Sequence, residues 1–192
     1  SNFGPFEIEF RREIADFLQD RSLSVVTVNN ATTGLMAALA ATMPRGDGEK
    51  TIAIASFTFA AGAQAILWHG YRPAWIDIDA ETLQPSISSL LELASKDERV
   101  AGILLTNTFG IGNRDVAEWE SLARDIGIPL IIDSAAGFGS TYPGNERLGA
   151  RGDCEVFSFH ATKPFAIGEG GAITTRNPET AERMREFTNF GF

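Results

Sequence analysis

Cysteine is nearly absent. Cys154 is the single one in 192 residues, so no disulfide closes within the chain and no cysteine-rich zinc site forms. That scarcity predicts a reducing, cytoplasmic setting and no metal. Basic charge is short as well: 16 Lys and Arg face 25 Asp and Glu, a net charge of −9, which leaves no electrostatic footprint for nucleic acid or for an anionic membrane surface. No apolar run suffices to cross a bilayer. Residues 52–68 come nearest, but Ser56, Thr58, Gly62 and Gln64 interrupt them, short of the roughly 18–20 uninterrupted apolar residues a span requires. The opening Ser1-Asn2-Phe3-Gly4-Pro5 lacks a basic-then-apolar pattern, and no secretory signal is expected. Lysine is scarcest of all: 13 of the 16 basic residues are Arg, leaving Lys50, Lys96 and Lys163. Lys50 follows Gly46-Asp47-Gly48-Glu49 and Lys96 precedes Asp97-Glu98-Arg99, both solvated turns by composition. Lys163 instead lies in Phe157-Ser158-Phe159-His160-Ala161-Thr162-Lys163-Pro164-Phe165-Ala166-Ile167-Gly168.

What is present is a sizeable apolar fraction, 44%, enough for the core of one domain at roughly 100–200 residues per domain. Phe6, Phe10, Ile14, Phe17 and Leu18 form one stripe of a first helix. Apolar runs at about 25–28, 51–55, 73–78, 100–106, 129–132, 155–159 and 171–175 predict seven strands. Helical periods fall at about 33–43, 59–68, 86–95 and 115–126, and a last helix is expected from Pro178, capped by Asn177. Alternating strands and helices with continuous apolar strands predict an α/β fold, a seven-stranded, mostly parallel sheet with helices on both faces. Residues 138–152 read as irregular. The connection from the sixth to the seventh strand is Gly-rich and carries no helical period, so the last strand is expected antiparallel.

Ligands of open α/β sheets bind beyond the carboxyl ends of the strands. The residues following the apolar runs are polar there: Asn29-Asn30, Ser56, Asp77 and Asp79, Asn107-Thr108, Asp133-Ser134, Ser158 and His160. Asn30-Ala31-Thr32-Thr33-Gly34 opens a helix, which suits an anion and equally a plain N-cap. Asp133 ends a buried run, where a carboxylate needs a cation or a turn to cap. Lys163, beside Phe165, Ala166 and Ile167, reads either as a salt-bridged core lysine or as a desolvated amine available as a nucleophile. A phosphate cradle, an acid and one isolated lysine are the parts a pyridoxal phosphate site requires. Asn30-Ala31-Thr32 and Arg151-Gly152-Asp153 also match a glycosylation sequon and an adhesion tripeptide, read as chance without a secretory signal.

On these residues the chain resembles the DegT/DnrJ/EryC1/StrS sugar aminotransferases, pyridoxal phosphate enzymes of fold type I with the aspartate aminotransferase-like large domain. Asn30-Ala31-Thr32-Thr33-Gly34-Leu35 is similar to the family's phosphate loop, and Ser56-Phe57-Thr58-Phe59 to its Ser-Phe-Thr-Phe segment. Trp75-Ile76-Asp77-Ile78-Asp79, Asn107-Thr108-Phe109-Gly110 and Asp133-Ser134-Ala135-Ala136 match further segments. Phe157 through Lys163, with Gly168-Glu169-Gly170-Gly171, is similar to the lysine loop. The resemblance implies that Lys163 forms the internal aldimine and Asp133 pairs with the pyridine nitrogen. Thr32, Thr33 and Ser158 would hold the phosphate, and Phe59 would stack on the ring. It implies an amino transfer from an amino acid donor, expected to be glutamate, to a nucleotide-linked keto sugar. Lys163, where the family's dehydratases carry His, selects transaminase over dehydratase.

The resemblance further implies a homodimer, and that residues 1–192 are the pyridoxal phosphate-binding large domain with the C-terminal small domain outside this chain. Where the family has Gln or His against the cofactor's phenolic oxygen, this chain has Ala136. A second reading, of another class, is a non-catalytic cofactor- or nucleotide-sugar-binding domain of the same fold. Ala136 and the short chain favour it, and Lys163 and Asp133 oppose it. The Gly-Xaa-Gly-Xaa-Xaa-Gly, Gly-Lys-Ser/Thr and Gly-Xaa-Ser-Xaa-Gly signatures of dehydrogenases, P-loop enzymes and serine hydrolases are missing.

Overall fold

The computed structural model describes residues 4–96 and 99–191; Asp97 and Glu98 of the turn expected after Lys96 lie outside the described residues. In chain order the elements are α1 (Pro5–Phe17), β1 (Ser24–Val28), α2 (Ala31–Thr42), β2 (Thr51–Ala55), α3 (Ala60–Trp68), β3 (Arg72–Ile76), α4 (Ile87–Lys96), β4 (Val100–Thr106), a 3-10 turn (Thr108–Gly110), α5 (Val116–Ile126), β5 (Leu130–Asp133), β6 (Cys154–Ser158), β7 (Gly171–Thr175) and α6 (Pro178–Thr188). The strands form one sheet in the order β1-β7-β6-β5-β4-β2-β3. β7 is antiparallel to both neighbours, β1 and β6, and the remaining pairs are parallel. The seven-stranded sheet is as the apolar runs predicted, and the antiparallel seventh strand as the Gly-rich connection before it predicted.

Strand side chains alternate between faces, and each face has its own core. Ile103, Leu105, Ile132 and Phe157 pack with α1, α4 and α5 through Ile14, Leu90 and Trp119. Their sequence neighbours Leu104, Ile131 and Val156, with Ile173, pack with α2, α3 and α6 through Leu39, Ile66 and Met184. α2 approaches the sheet closely because Gly34 has no side chain: a Cβ there would lie 2.8 Å from Val156 Cγ1. This brings the α2 N-terminus over the carboxyl edge of the sheet.

Two local expectations change, and one local feature is new. Phe6 lies off the buried stripe of α1, 85% exposed, while Ile14 and Leu18 are buried. β3 stops at Ile76, two residues before the apolar run ends, because the Asp77 amide donates to Ser89 Oγ at 2.8 Å and Ile78 bridges Pro85 instead. After β4 the chain tightens into the 3-10 turn, with Phe109 in the left-handed region at φ 57°. Gln84 Nε2 braces that turn by donating to the Thr108 and Ile111 carbonyls, at 3.4 and 3.3 Å.

Candidate active site

The segments that leave β2, β4, β5 and β6 converge at one edge of the sheet, under the N-termini of α2 and α3. They enclose two adjoining cavities, of about 300 and about 330 Å³, which share Phe59, Asp133, Ala135 and Lys163. The first also has Asn30, Thr32, Ser158 and His160 in its wall, and the second Thr58, Thr106, Asn107, Phe109 and Ala136. A larger groove of about 580 Å³, between α1, β1 and α6, contains Arg11, Arg12, Arg21 and Arg185 and shares no residue with these two.

Asp133 is 5% exposed. Burial raises its carboxyl above the ordinary range, opposed by the Ala135 amide, which donates to Oδ1 at 3.0 Å, and by the charge of Lys163. Asp133 thus caps the following turn, and it shares the walls of both cavities with Lys163, whose charge acts on it. Lys163 stands in a loop stitched to the sheet by Phe159 N to Gly170 O at 2.8 Å and Ala161 N to Gly168 O at 2.9 Å. Phe165 fixes the loop from below, its ring 5.1 Å from those of Phe138 and Phe159. The lysine is less enclosed than its neighbours implied. It is half-buried, and Phe165 and Ile167 are 37% and 51% exposed.

At the α2 N-terminus, Asn30 Oδ1 accepts from Thr33 N at 2.9 Å and from Thr33 Oγ1 at 3.2 Å. Thr33 is therefore committed to the cap and is not in the wall of either cavity, whereas Thr32 and Ser158 are in it. The amides of a helix's first turn lack intrahelical partners and favour an anion. Phe59, at the N-terminus of α3, is 78% exposed and stands over both cavities. Asp77 and Asp79 stay outside: Asp79 Oδ1 accepts from the amides of Glu81 and Thr82 and holds a turn.

On the opposite face, below Asp133, lies a polar network. Glu155 Oε1 accepts from Ser134 Oγ at 2.5 Å and Tyr142 Oη at 3.0 Å, and Oε2 accepts from Gly149 N at 2.5 Å. Asn107 Nδ2 donates to Ser134 Oγ at 2.7 Å and to Tyr142 Oη at 3.0 Å, and its Oδ1 accepts from Asn113 N at 2.8 Å. The network ties the turns after β4 and β5 to β6. Sequence reading placed Asn107 and Ser134 at the strand ends but missed Glu155, a carboxylate at the head of the apolar run 155–159 that lies within β6 in the structure.

Burial pushes the Glu155 carboxyl up to about 7 from 4.5, against the lowering by Ser134 and Gly149. A folded-state pKa raised in this way means that the folded protein holds the proton longer. Its stabilising contribution is complete below about pH 4.5 and is lost as pH rises through about 7. Wild-type protein is expected to lose up to about 3 kcal/mol of stability over that window relative to Glu155→Gln, in urea titrations at the two ends. Parallel curves for the two proteins would contradict this.

Among the described residues no group of three or more His, Cys, Asp or Glu is placed to hold a metal ion, and no helix is long and apolar enough to cross a membrane. A model of the DegT/DnrJ/EryC1/StrS aminotransferase family matches residues 1–192. Protein Rv3402c of Mycobacterium tuberculosis is 50% identical over 192 residues, 100% of this chain and 46% of its own length. The GDP-perosamine synthase of Caulobacter vibrioides is 33% identical over 185 residues, 96% of this chain and 48% of its own. Among solved structures, DesI in the presence of its TDP-sugar product superposes with a TM-score of 0.88 at 33% identity, over 100% of this chain and 46% of that one. Helicobacter pylori PseC, an aminotransferase involved in the biosynthesis of pseudoaminic acid, does so with a TM-score of 0.88 at 27% identity, over 97% and 48%. The chain spans about half the length of the curated relatives it matches. With the family model covering every residue and a half-identical relative aligned from end to end, the chain belongs to the DegT/DnrJ/EryC1/StrS aminotransferase family.

Proposed function

We propose that residues 1–192 are the pyridoxal phosphate-binding large domain of an aminotransferase that moves an amino group from an amino acid, glutamate, to a nucleotide-linked keto sugar. The observation that carries this reading is that Asp133 and Lys163 line the same two cavities beside the α2 N-terminus. The residues fit the cofactor chemically. A buried carboxylate such as Asp133, with one amide partner and only a half-buried ammonium opposite, is complemented by a pyridinium. Thr32, Ser158 and the α2 amides suit a phosphate. The exposed ring of Phe59 suits stacking on a planar heterocycle. Relatives named for GDP-, TDP- and amino-sugar chemistry support the nucleotide-sugar substrate.

Bound there, the cofactor supplies an electron sink for the carbanion formed at the donor's α-carbon. Asp133, ionised beside a pyridinium, keeps the ring nitrogen protonated. Lys163 Nζ would hold and move the proton at the donor's α-carbon, and its tether in the loop closed by backbone hydrogen bonds would supply the proximity. Thr32 and Ser158 orient by holding the phosphate and take no part in proton transfer. We propose a cytoplasmic homodimer, which the apolar rim of Phe57, Phe109 and Ile111 beside the cleft supports. The test is to incubate the full polypeptide with pyridoxal phosphate, glutamate and a panel of nucleotide-linked keto sugars. An amino sugar and 2-oxoglutarate formed together are expected, and cofactor binding without turnover on any member would favour the non-catalytic reading.

A further inference from the structure

A pyridoxal phosphate ring has its nitrogen and its C4′ at para positions, with the phosphate arm on one side of that axis and the phenolic oxygen on the other. Asp133 and Lys163, which would mark the two ends of the axis, line both cavities. The phosphate-side residues Asn30, Thr32 and Ser158 line only one of them. The phenolic oxygen therefore faces the other, whose wall includes Thr58, Thr106, Asn107, Thr108 and Ala136. Ala136 has no side-chain donor. The Asn107 carboxamide is committed to Ser134, Tyr142 and the Asn113 amide. Thr108 Oγ1 is fully enclosed, so no ligand in the cavity can reach it.

Two hydroxyls remain. Thr58 Oγ1 and Thr106 Oγ1 are 3.0 Å apart. Between them they carry two protons, of which their mutual hydrogen bond uses one, so one O–H is left to donate. Thr106 stands opposite Asp133 in the β4–β5 ladder, and alternation from Leu104 and Ile131 puts both side chains on the same face. We propose that the Thr58–Thr106 hydroxyl pair donates to the cofactor's phenolic oxygen, in the place that Ala136 leaves without a donor. This rests on the pyridoxal phosphate reading above.

A donated hydrogen bond stabilises the phenolate and weakens its hold on the proton shared with the nitrogen of Lys163. Removing it raises the pH at which that proton leaves, which the absorbance of the bound cofactor reports. Asp133 and Lys163 are the charged groups of this cavity, and His160 and Glu169 line the phosphate side. All four stay unchanged in the variants below.

The experiment titrates the absorbance of the cofactor-loaded full polypeptide, with cofactor content measured independently. In Thr58→Val/Thr106→Val the midpoint is expected to rise by about one pH unit. The paired serine variant should leave it at the wild-type value, and Ala136→Gln in the valine background should bring it back. Thr108→Val should not move it. An unmoved or lowered midpoint in the double variant, or the same rise in Thr108→Val, overturns the proposal. If the double variant does not fold, the single valine variants decide: one must show the rise, and two unmoved midpoints overturn it. A wild-type protein that takes up no cofactor fails the reading itself, whereas an unmoved midpoint in loaded protein fails this inference alone.

Discussion

Lys163→Ala in the full polypeptide is expected to lower amino transfer by at least about 10³-fold, with loss of the bound-cofactor absorbance. Two roles vanish together. The covalent tether is one, and the other is the base that moves the proton between the donor's α-carbon and C4′. No second lysine lines either cavity, so nothing nearby substitutes. Lys163→Arg should be equally inactive, because a guanidinium keeps its proton at any working pH and cannot attack a carbonyl. Folding should be little affected by either change: the side chain is half-buried, and the loop is held by backbone hydrogen bonds and Phe165. Initial rates with glutamate and the accepted keto sugar, alongside a thermal melt, separate loss of chemistry from loss of fold. Retained transamination would remove Lys163 from the mechanism.

Asp133→Asn is expected to lower the rate by about 10²–10³-fold while leaving the protein folded. Asn is nearly isosteric, and its oxygen can still accept from the Ala135 amide. It loses the negative charge that keeps the pyridine nitrogen protonated, and with it the electron sink. Cofactor-free protein carries a separate signature. Burial raises the Asp133 carboxyl, so the folded state holds its proton longer than the unfolded chain does. Stability from this group is then present at low pH and falls as pH climbs past the ordinary carboxylate range. The Asn variant lacks that fall and should match or exceed wild type in stability at neutral pH. A variant that is slow because it is unfolded would contradict the assignment, and a urea titration beside the rate measurement distinguishes the two.

The fold was legible because its physical signals are periodic. Runs such as residues 100–106 and 129–132 are buried on both faces, so apolar continuity marked them as central strands. The Gly-rich stretch before Gly171, without a helical period, marked the connection after which the chain runs back antiparallel. Asp133 and Lys163 were legible because a charged residue at the end of an apolar run, or alone in an aromatic segment, stands out. What escaped depends on contacts between distant segments. Thr33 reads as a phosphate ligand in the loop pattern, but Asn30 takes both its amide and its hydroxyl. Glu155 looked like the polar start of a strand, and its role appears only when Ser134, Tyr142 and Gly149 close around it. The pairing of Thr58 with Thr106 spans 48 residues, beyond any local pattern.

The most direct test of the account is to load the full polypeptide with pyridoxal phosphate, reduce it with borohydride, digest it and locate the pyridoxyl label. This chain offers three lysines, Lys50, Lys96 and Lys163, so the assignment is unambiguous within it. A single stoichiometric label on the peptide carrying Lys163, displaced by prior incubation with glutamate, is predicted. No label, or label shared with Lys50 and Lys96, would contradict it.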